Sequence, residues 1–336
     1  MRNNWLSYSL AERKVILQEV SKKEHIPDYA VEKDWWVSMV LKALFQVECA
    51  DYLLFKGGTS LSKGWRLIER FSEDIDIALS HRFFDMPTET NNQIKNLRKK
   101  SRRYIIDTLA PQLKQALEKI GLADLQVEPL MDIDGVTVST DADPTVINVS
   151  YQSIADGHSD YVPTKVKIEI SCLSMDVPFE QKHITTLISE MFPDADMDTD
   201  SIIPTVVPSR TFLEKAFLLN EEFQKAKPRS LRMSRHLYDL EKLMDTQYAH
   251  DALADKELYH MIVEHRRKFY HAGYADYDKD YPQAINFIPS DTIIKEWQED
   301  YRELVKSFVY GNHLEFENLI ERLETLQQRF REIEKF

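Results

Sequence analysis

Glycine is scarce in this sequence, at 8 of 336 residues where an average chain carries about 7%. Cysteine is scarcer: Cys49 and Cys172 stand far apart without metal-ligand spacing, so neither a disulfide framework nor a zinc site is suggested, and both read as small core residues. A long apolar run is also missing. The longest stretch free of Asp, Glu, Lys and Arg is Pro144 to Ala155, twelve residues, against the roughly 20 that a membrane helix needs. The first twenty residues mix charged with apolar side chains and lack the unbroken apolar segment of a signal peptide. The expectation is a cytoplasmic protein with no membrane partner. Finally, positive charge is not in excess: 43 basic residues against 56 acidic ones give −13, which excludes a uniformly basic nucleic-acid binder.

What is present is ordinary globular material, 43% apolar and 29% charged, in a chain long enough for two domains. Helical spacing covers Leu10 to Val20 and Asp28 to Phe45, where Trp36, Val37, Val40, Leu41 and Leu44 recur. Next come an apolar run Tyr52 to Phe55, the pair Gly57 and Gly58, an amphipathic stretch Leu61 to Ile68, and a second run Ile75 to Leu79. That order predicts strand, turn, helix, strand. Ile94, Leu97, Tyr104, Ile105, Leu109, Leu113 and Leu117 predict a helix to about Ile120, which Pro111 should kink or divide. Strands are expected at Leu125 to Met131, Val146 to Tyr151 and Val166 to Cys172. From about Ser209 the pattern turns helical, through Thr211 to Gln224, Ser234 to Met244, Leu253 to Tyr270 and a last helix whose Phe316, Leu319, Ile320, Leu323 and Leu326 form one apolar stripe. The predicted fold class is α+β, a mixed sheet with flanking helices followed by a C-terminal helical bundle. The boundary falls near 195–208, giving domains at 1–200 and 201–336.

In so glycine-poor a chain, Gly57, Gly58 and Gly64 lie within eight positions. The string Phe55-Lys56-Gly57-Gly58-Thr59-Ser60-Leu61 follows a strand and opens a helix, a context in which free backbone N–H groups hold phosphate; a tight turn needing positive φ is the plainer reading. Downstream, Arg70-Phe71-Ser72-Glu73-Asp74-Ile75-Asp76-Ile77 puts two carboxylates at i and i+2 of a strand, on one face. Adjacent carboxylates favour a cation between them, and oxygen ligands suit Mg²⁺ or Mn²⁺. Glu169, on the strand Lys165-Val166-Lys167-Ile168-Glu169-Ile170-Ser171, is the candidate third ligand, against an ion pair with a lysine. Three carboxylates and a phosphate turn are the parts of two-metal phosphoryl chemistry.

These two strings resemble motif I of the DNA polymerase β-like nucleotidyltransferases, and specifically the AbiEii family, the toxin half of type IV toxin–antitoxin pairs. Val31-Glu32-Lys33-Asp34-Trp35-Trp36, Lys167-Ile168-Glu169-Ile170, Phe212-Leu213-Glu214-Lys215 and Arg235-His236-Leu237-Tyr238-Asp239-Leu240 resemble that family in order. The resemblance implies a nucleotidyltransferase domain and a helical domain with the NTP in the cleft between them. Lys56, Gly57, Gly58, Thr59, Ser60 and Ser72 would then bind the nucleotide, and Asp74, Asp76 and Glu169 the metal. Lys215 would contact phosphate, and Asp239 would complete the cleft. The last motif departs from the family pattern, with His236 where an acidic residue is expected. Related toxins add nucleotides to the tRNA 3′ end, so the implied function is Mg²⁺- or Mn²⁺-dependent transfer of a nucleoside monophosphate to RNA, tRNA foremost, with a cognate antitoxin encoded nearby. A protein AMP-adding enzyme and a non-catalytic NTP-binding regulator are the alternatives.

Two basic runs would admit RNA despite the acidic total: Lys95, Arg98, Lys99, Lys100, Arg102 and Arg103, and then Lys225, Lys227, Arg229, Arg232 and Arg235. Glu32 and Asp34 read as solvated charges or as residues behind the metal ligands, and Trp35 and Trp36 as core or base-stacking.

Overall fold

In the computed structural model, which describes residues 4–155 and 164–334, the chain divides into two units, Met1–Gly64 with Ser72–Thr205 and Trp65–Phe71 with Val206–Phe336. The fold is α+β.

The first unit opens with α1 (Leu10–Glu24), started by a capping box in which Ser9 and Glu12 satisfy each other's backbone N–H. Helix α2 (Asp28–Leu44) is buried on nearly every side, the mark of a core helix. Strand β1 (Leu53–Lys56) runs into a short helical turn, α3 (Gly57–Thr59), which continues as a π-turn over Ser60–Gly64. Strand β2 (Asp74–Leu79) follows, then α4 (Asn91–Tyr104), a π-helical segment Ile105–Leu109 and α5 (Ala110–Lys119). The helix is interrupted where Pro111 falls: the residue sits in the first turn of α5, directly after the π-helical segment Ile105–Leu109.

The remaining strands are β3 (Gln126–Pro129), β4 (Asp132–Ile133), β5 (Val136–Thr137), β6 (Thr145–Ser150), β7 (Lys165–Ser171), β8 (Phe179–Ile184) and β9 (Ser201–Val206), with α6 (Leu187–Met191) between the last two. Of the nine strands among the described residues, seven form a mixed sheet in the order β3-β6-β7-β2-β1-β9-β8, while β4 and β5 pair separately. Strand β2 runs antiparallel to β1 and parallel to β7. Ile75, Ile77, Ile147, Ile168 and Ile170 are fully buried on one face, the face that α2 packs against. The alternation that buries them turns Asp74, Asp76, Lys167 and Glu169 to the other face, where all four are half-buried.

The helix expected over Leu61 to Ile68 is displaced and shorter, since helical geometry begins at Gly57 and stops at Gly64. Strands β8 and β9 were not among the expected strands.

The second unit consists of α7 (Pro208–Glu222), α8 (Ser234–Leu243), α9 (Gln247–Ala254), α10 (Lys256–Phe269), α11 (Ile294–Phe308) and α12 (Phe316–Arg331). The helix expected over Leu253 to Tyr270 is broken, because the Asp255 carboxylate accepts the N–H of Leu258 and caps a new helix. The α12 stripe Phe316, Leu319, Ile320, Leu323 and Leu326 is buried, with α12 packed on α8 and α11. Segment Trp65–Phe71 belongs to this unit. Phe71 N–H donates to the Phe308 carbonyl at 2.7 Å, and Tyr310 N–H to the Glu69 carbonyl at 3.1 Å.

Candidate active site

In the first unit the site is built on the β1–β2 hairpin and its neighbour β7. Lys56 is the Cα partner of Asp76 across the antiparallel pair, and across the parallel pair Asp74 stands opposite Lys167 and Asp76 opposite Glu169. Gly57 follows Lys56 with φ +78°, a conformation that L side chains rarely adopt. Space excludes a side chain there too: a Cβ on Gly57 would lie 2.0 Å from Oδ2 of Asp76. The glycine turn and the second aspartate are therefore in van der Waals contact, and the glycine is what lets the carboxylate come so close.

Thr59 and Ser60 point inward and are fully buried. The Thr59 hydroxyl donates to the carbonyl of Asp74 and lies 2.9 Å from Ser72 Oγ, while Ser60 Oγ donates to the Gly57 carbonyl at 2.9 Å. The Thr59 hydroxyl thus ties the turn to the acidic strand and the Ser60 hydroxyl closes the turn on itself, which leaves backbone N–H for the turn to present outward. Glu169 is ion-paired with Lys167 along the same strand. Burial opposes the charge of Lys167, but Glu169, Asp74 and Asp76 together raise its pKa above the ordinary lysine value. Among the described residues no group of three or more His, Cys, Asp or Glu side chains is gathered to hold a metal ion. The donor chemistry on hand is the pair Asp74 and Asp76. Two carboxylates suit a divalent cation whose other ligands are water and substrate phosphate, the usual way Mg²⁺ is bound.

The second unit holds the other two expected site residues, and they are joined. Asp239, fully buried, accepts from Arg70 Nε at 2.7 Å and Nη2 at 2.8 Å, and pairs with Lys215 Nζ at 2.8 Å. Burial by itself would raise the Asp239 pKa; Arg70 and Lys215 overcome it and hold the carboxyl well below the usual range. Lys215 is lowered by burial and by Arg70, with Asp239 opposing. His236 is pushed well below its ordinary value by burial, Lys215 and Arg235, and stays neutral near pH 7. Arg70 had been read only as part of a motif; its pairing spans 169 positions and leaves no local signal.

Glu32 and Asp34 are not solvated. Both are buried, Glu32 accepting the Ile154 N–H at 3.0 Å and Asp34 accepting the Leu187 N–H at 2.9 Å. Trp35 and Trp36 are core: Trp35 donates to Asp196 at 2.9 Å, and Trp36 stacks on Tyr151 at 4.9 Å. Burial raises both thiols, Cys49 to about 11, so neither is reactive at neutral pH.

Residues 40–328 match the family described as "Nucleotidyl transferase AbiEii toxin, Type IV TA system". The chain belongs to the AbiEii family. It is accordingly a nucleotidyltransferase of the toxin half of a type IV toxin–antitoxin system, an enzyme whose class acts on NTPs. The AbiEii chain is also similar to a solved structure, MenT4, a nucleotidyltransferase toxin from Mycobacterium tuberculosis H37Rv, at 14% identity and a TM-score of 0.45, with 98% of this chain and 100% of that one covered. No curated protein matches the sequence. Among the described residues no helix is long and apolar enough to cross a membrane.

The basic runs of this AbiEii protein are largely engaged. Arg98 donates to the Asp141 carbonyl at 2.7 Å, Lys100 to the Phe84 carbonyl at 3.0 Å, and Arg102 is buried. Glu222 takes Lys225 at 2.7 Å and Arg229 at 2.9 Å. Lys95, Lys99 and Arg103 are exposed on α4.

Proposed function

We propose that this AbiEii protein transfers a nucleoside monophosphate from an NTP to RNA, at the tRNA 3′ end, and thereby blocks translation in the cytoplasm. The observation that carries the reading is the contact between Gly57 and the Asp76 carboxylate, which sets a phosphate-binding turn directly against an acidic pair. In the reaction an acceptor hydroxyl attacks the α-phosphorus and gives up its proton to solvent, a new P–O bond forms, the bond from the α-phosphorus to the oxygen bridging to the β-phosphate breaks, and pyrophosphate leaves with that bond's electron pair.

The backbone N–H groups of Gly57, Gly58 and Thr59 offset charge on the triphosphate. Lys56 adds a cation at the head of the turn, while Ser60 and Ser72 keep its shape. Asp74 and Asp76 would hold Mg²⁺ or Mn²⁺, with Glu169 contributing once it exchanges Lys167 for the cation; such a cation lowers the acceptor hydroxyl's pKa and neutralises the departing pyrophosphate. In the second unit Lys215, paired with Asp239 at 2.8 Å, is the candidate phosphate contact. A cognate antitoxin is the expected partner of a toxin in this class.

The test incubates the protein with each α-³²P-labelled NTP, Mg²⁺, cellular RNA and cellular protein, alongside an Asp74→Ala, Asp76→Ala variant. Label is expected in tRNA and to fall on the order of a thousandfold in the variant, since removing the acidic pair forfeits several kcal/mol of charge stabilisation. Label in protein instead would make a protein hydroxyl the acceptor. A companion variant reverses Lys95, Lys99 and Arg103 to Glu, leaving the buried Arg102 in place. It should weaken RNA labelling while NTP binding is kept, and lost NTP binding would refute that assignment.

A further inference from the structure

Helix α2 carries three successive charged residues, Glu32, Lys33 and Asp34, and all three are buried. Each reaches a different part of the first unit. Glu32 holds Ser153 and Ile154. Lys33 Nζ meets Glu73 Oε2 at 2.6 Å, both side chains at most 5% exposed. Asp34 pairs with Lys63 and accepts the Leu187 N–H. Glu73 immediately precedes Asp74, and Lys63 lies in the π-turn that continues Gly57–Thr59. Two adjacent residues of one helix thus grip the acidic strand and the glycine turn, and the Thr59 hydroxyl bonds the Asp74 carbonyl between them.

Stability alone is a poor reason for this arrangement, because a buried ion pair is often no better than well-packed apolar side chains of similar volume. We propose that Lys33 and Asp34 are positioning residues for nucleotidyl transfer: α2 is a common brace that fixes the acidic pair in register with the phosphate turn, so that a divalent cation and the triphosphate are bound together. The inference rests on the reading of Gly57, Asp74 and Asp76 given above. Lys33 also offsets the charge of Glu73, the residue next to Asp74.

The experiment uses the full chain and a Lys33→Met, Glu73→Leu double variant, which replaces the pair with apolar side chains. Three quantities are read: melting temperature, Mn²⁺–NTP binding by calorimetry, and transfer as a function of metal concentration. A brace predicts a melting temperature near wild type with binding weakened and the metal requirement raised roughly 10- to 100-fold, as for loss of groups that orient metal ligands. Unchanged binding and metal requirement overturn it, whatever the melting temperature does. Should the double variant fail to fold, Lys63→Met tests the other arm, where a raised KM for the NTP is expected and an unchanged one refutes the brace. The Asp74→Ala, Asp76→Ala variant separates the two failures: wild-type Mn²⁺–NTP binding there sinks the site itself, whereas lost binding there with unaffected α2 variants sinks only the brace.

Discussion

Two groups of aspartates in this chain are built from the same side chains and put to opposite use. Asp239 is fully buried, with Arg70 and Lys215 each within 2.8 Å of its oxygens. Asp74 and Asp76 are half-buried, side by side on a strand face, with the side-chain-free Gly57 packed against Asp76. The low pKa of Asp239 comes from cations enclosed with it in the second unit. The two strand aspartates instead share one half-buried face with Lys167 and Glu169, next to the glycine turn.

The largest effect that would break this comparison is at Asp239. Asp239→Ala strands two buried cations and should destabilise the protein by about 3–5 kcal/mol, read from denaturant midpoints. Because its folded pKa is depressed, its contribution is fully present above the unfolded value of about 3.9 and drains away as pH falls below that value. The gap between wild type and variant should accordingly narrow as pH falls from about 4 to about 2. A gap under about 1 kcal/mol at pH 7 would mean that the network is not the internal tie its distances suggest.

Gly57→Ala sharpens the other side. Its φ of +78° implies a strain of about 1–2 kcal/mol for a residue with a side chain. The added Cβ would meet Asp76 at Oδ2, Cγ and Cβ, at 2.0, 2.7 and 2.9 Å, so the carboxylate must turn away and the strand beneath it must give as well. Transfer activity should thus fall further than stability, although the melting temperature drops too. Equal losses in both would show that the turn needs the glycine for folding alone.

Much of the first region was readable in advance because its signals are local. Asp74 and Asp76 follow the period of a strand, and glycines are conspicuous where they are rare. The second region was not, since Arg70 and Asp239 are 169 positions apart and Lys33 and Glu73 are 40 apart, so only the fold pairs them. Strand β8, Phe179-Glu180-Gln181-Lys182-His183-Ile184, is a mostly exposed edge with no alternation. In β9 Pro204 argues against a strand. A clue is present in α2: three charges in a row flanked by Ala30, Val31, Trp35, Trp36 and Val37 cannot all face water, which argues against solvated Glu32 and Asp34.

The second unit offers a finer contrast in Asp280, as buried as Asp239 but beside a carboxylate. Asn220 donates to its Oδ1 at 2.7 Å, and the cation nearest by, Arg266, is held by Glu221 at 2.5 and 2.8 Å. Burial, and then Glu221, push Asp280 up to about 8. The sign is opposite to that of Asp239: the folded state binds a proton that the unfolded state releases, so stability falls as pH rises from about 4 to 8. Asp280→Asn keeps the Oδ1 acceptor for Asn220 and offers Glu221 an N–H at every pH. It should gain on the order of several kcal/mol over wild type at pH 9 and nothing at pH 4, and a gain of equal size at both would trace the effect to packing rather than to the proton.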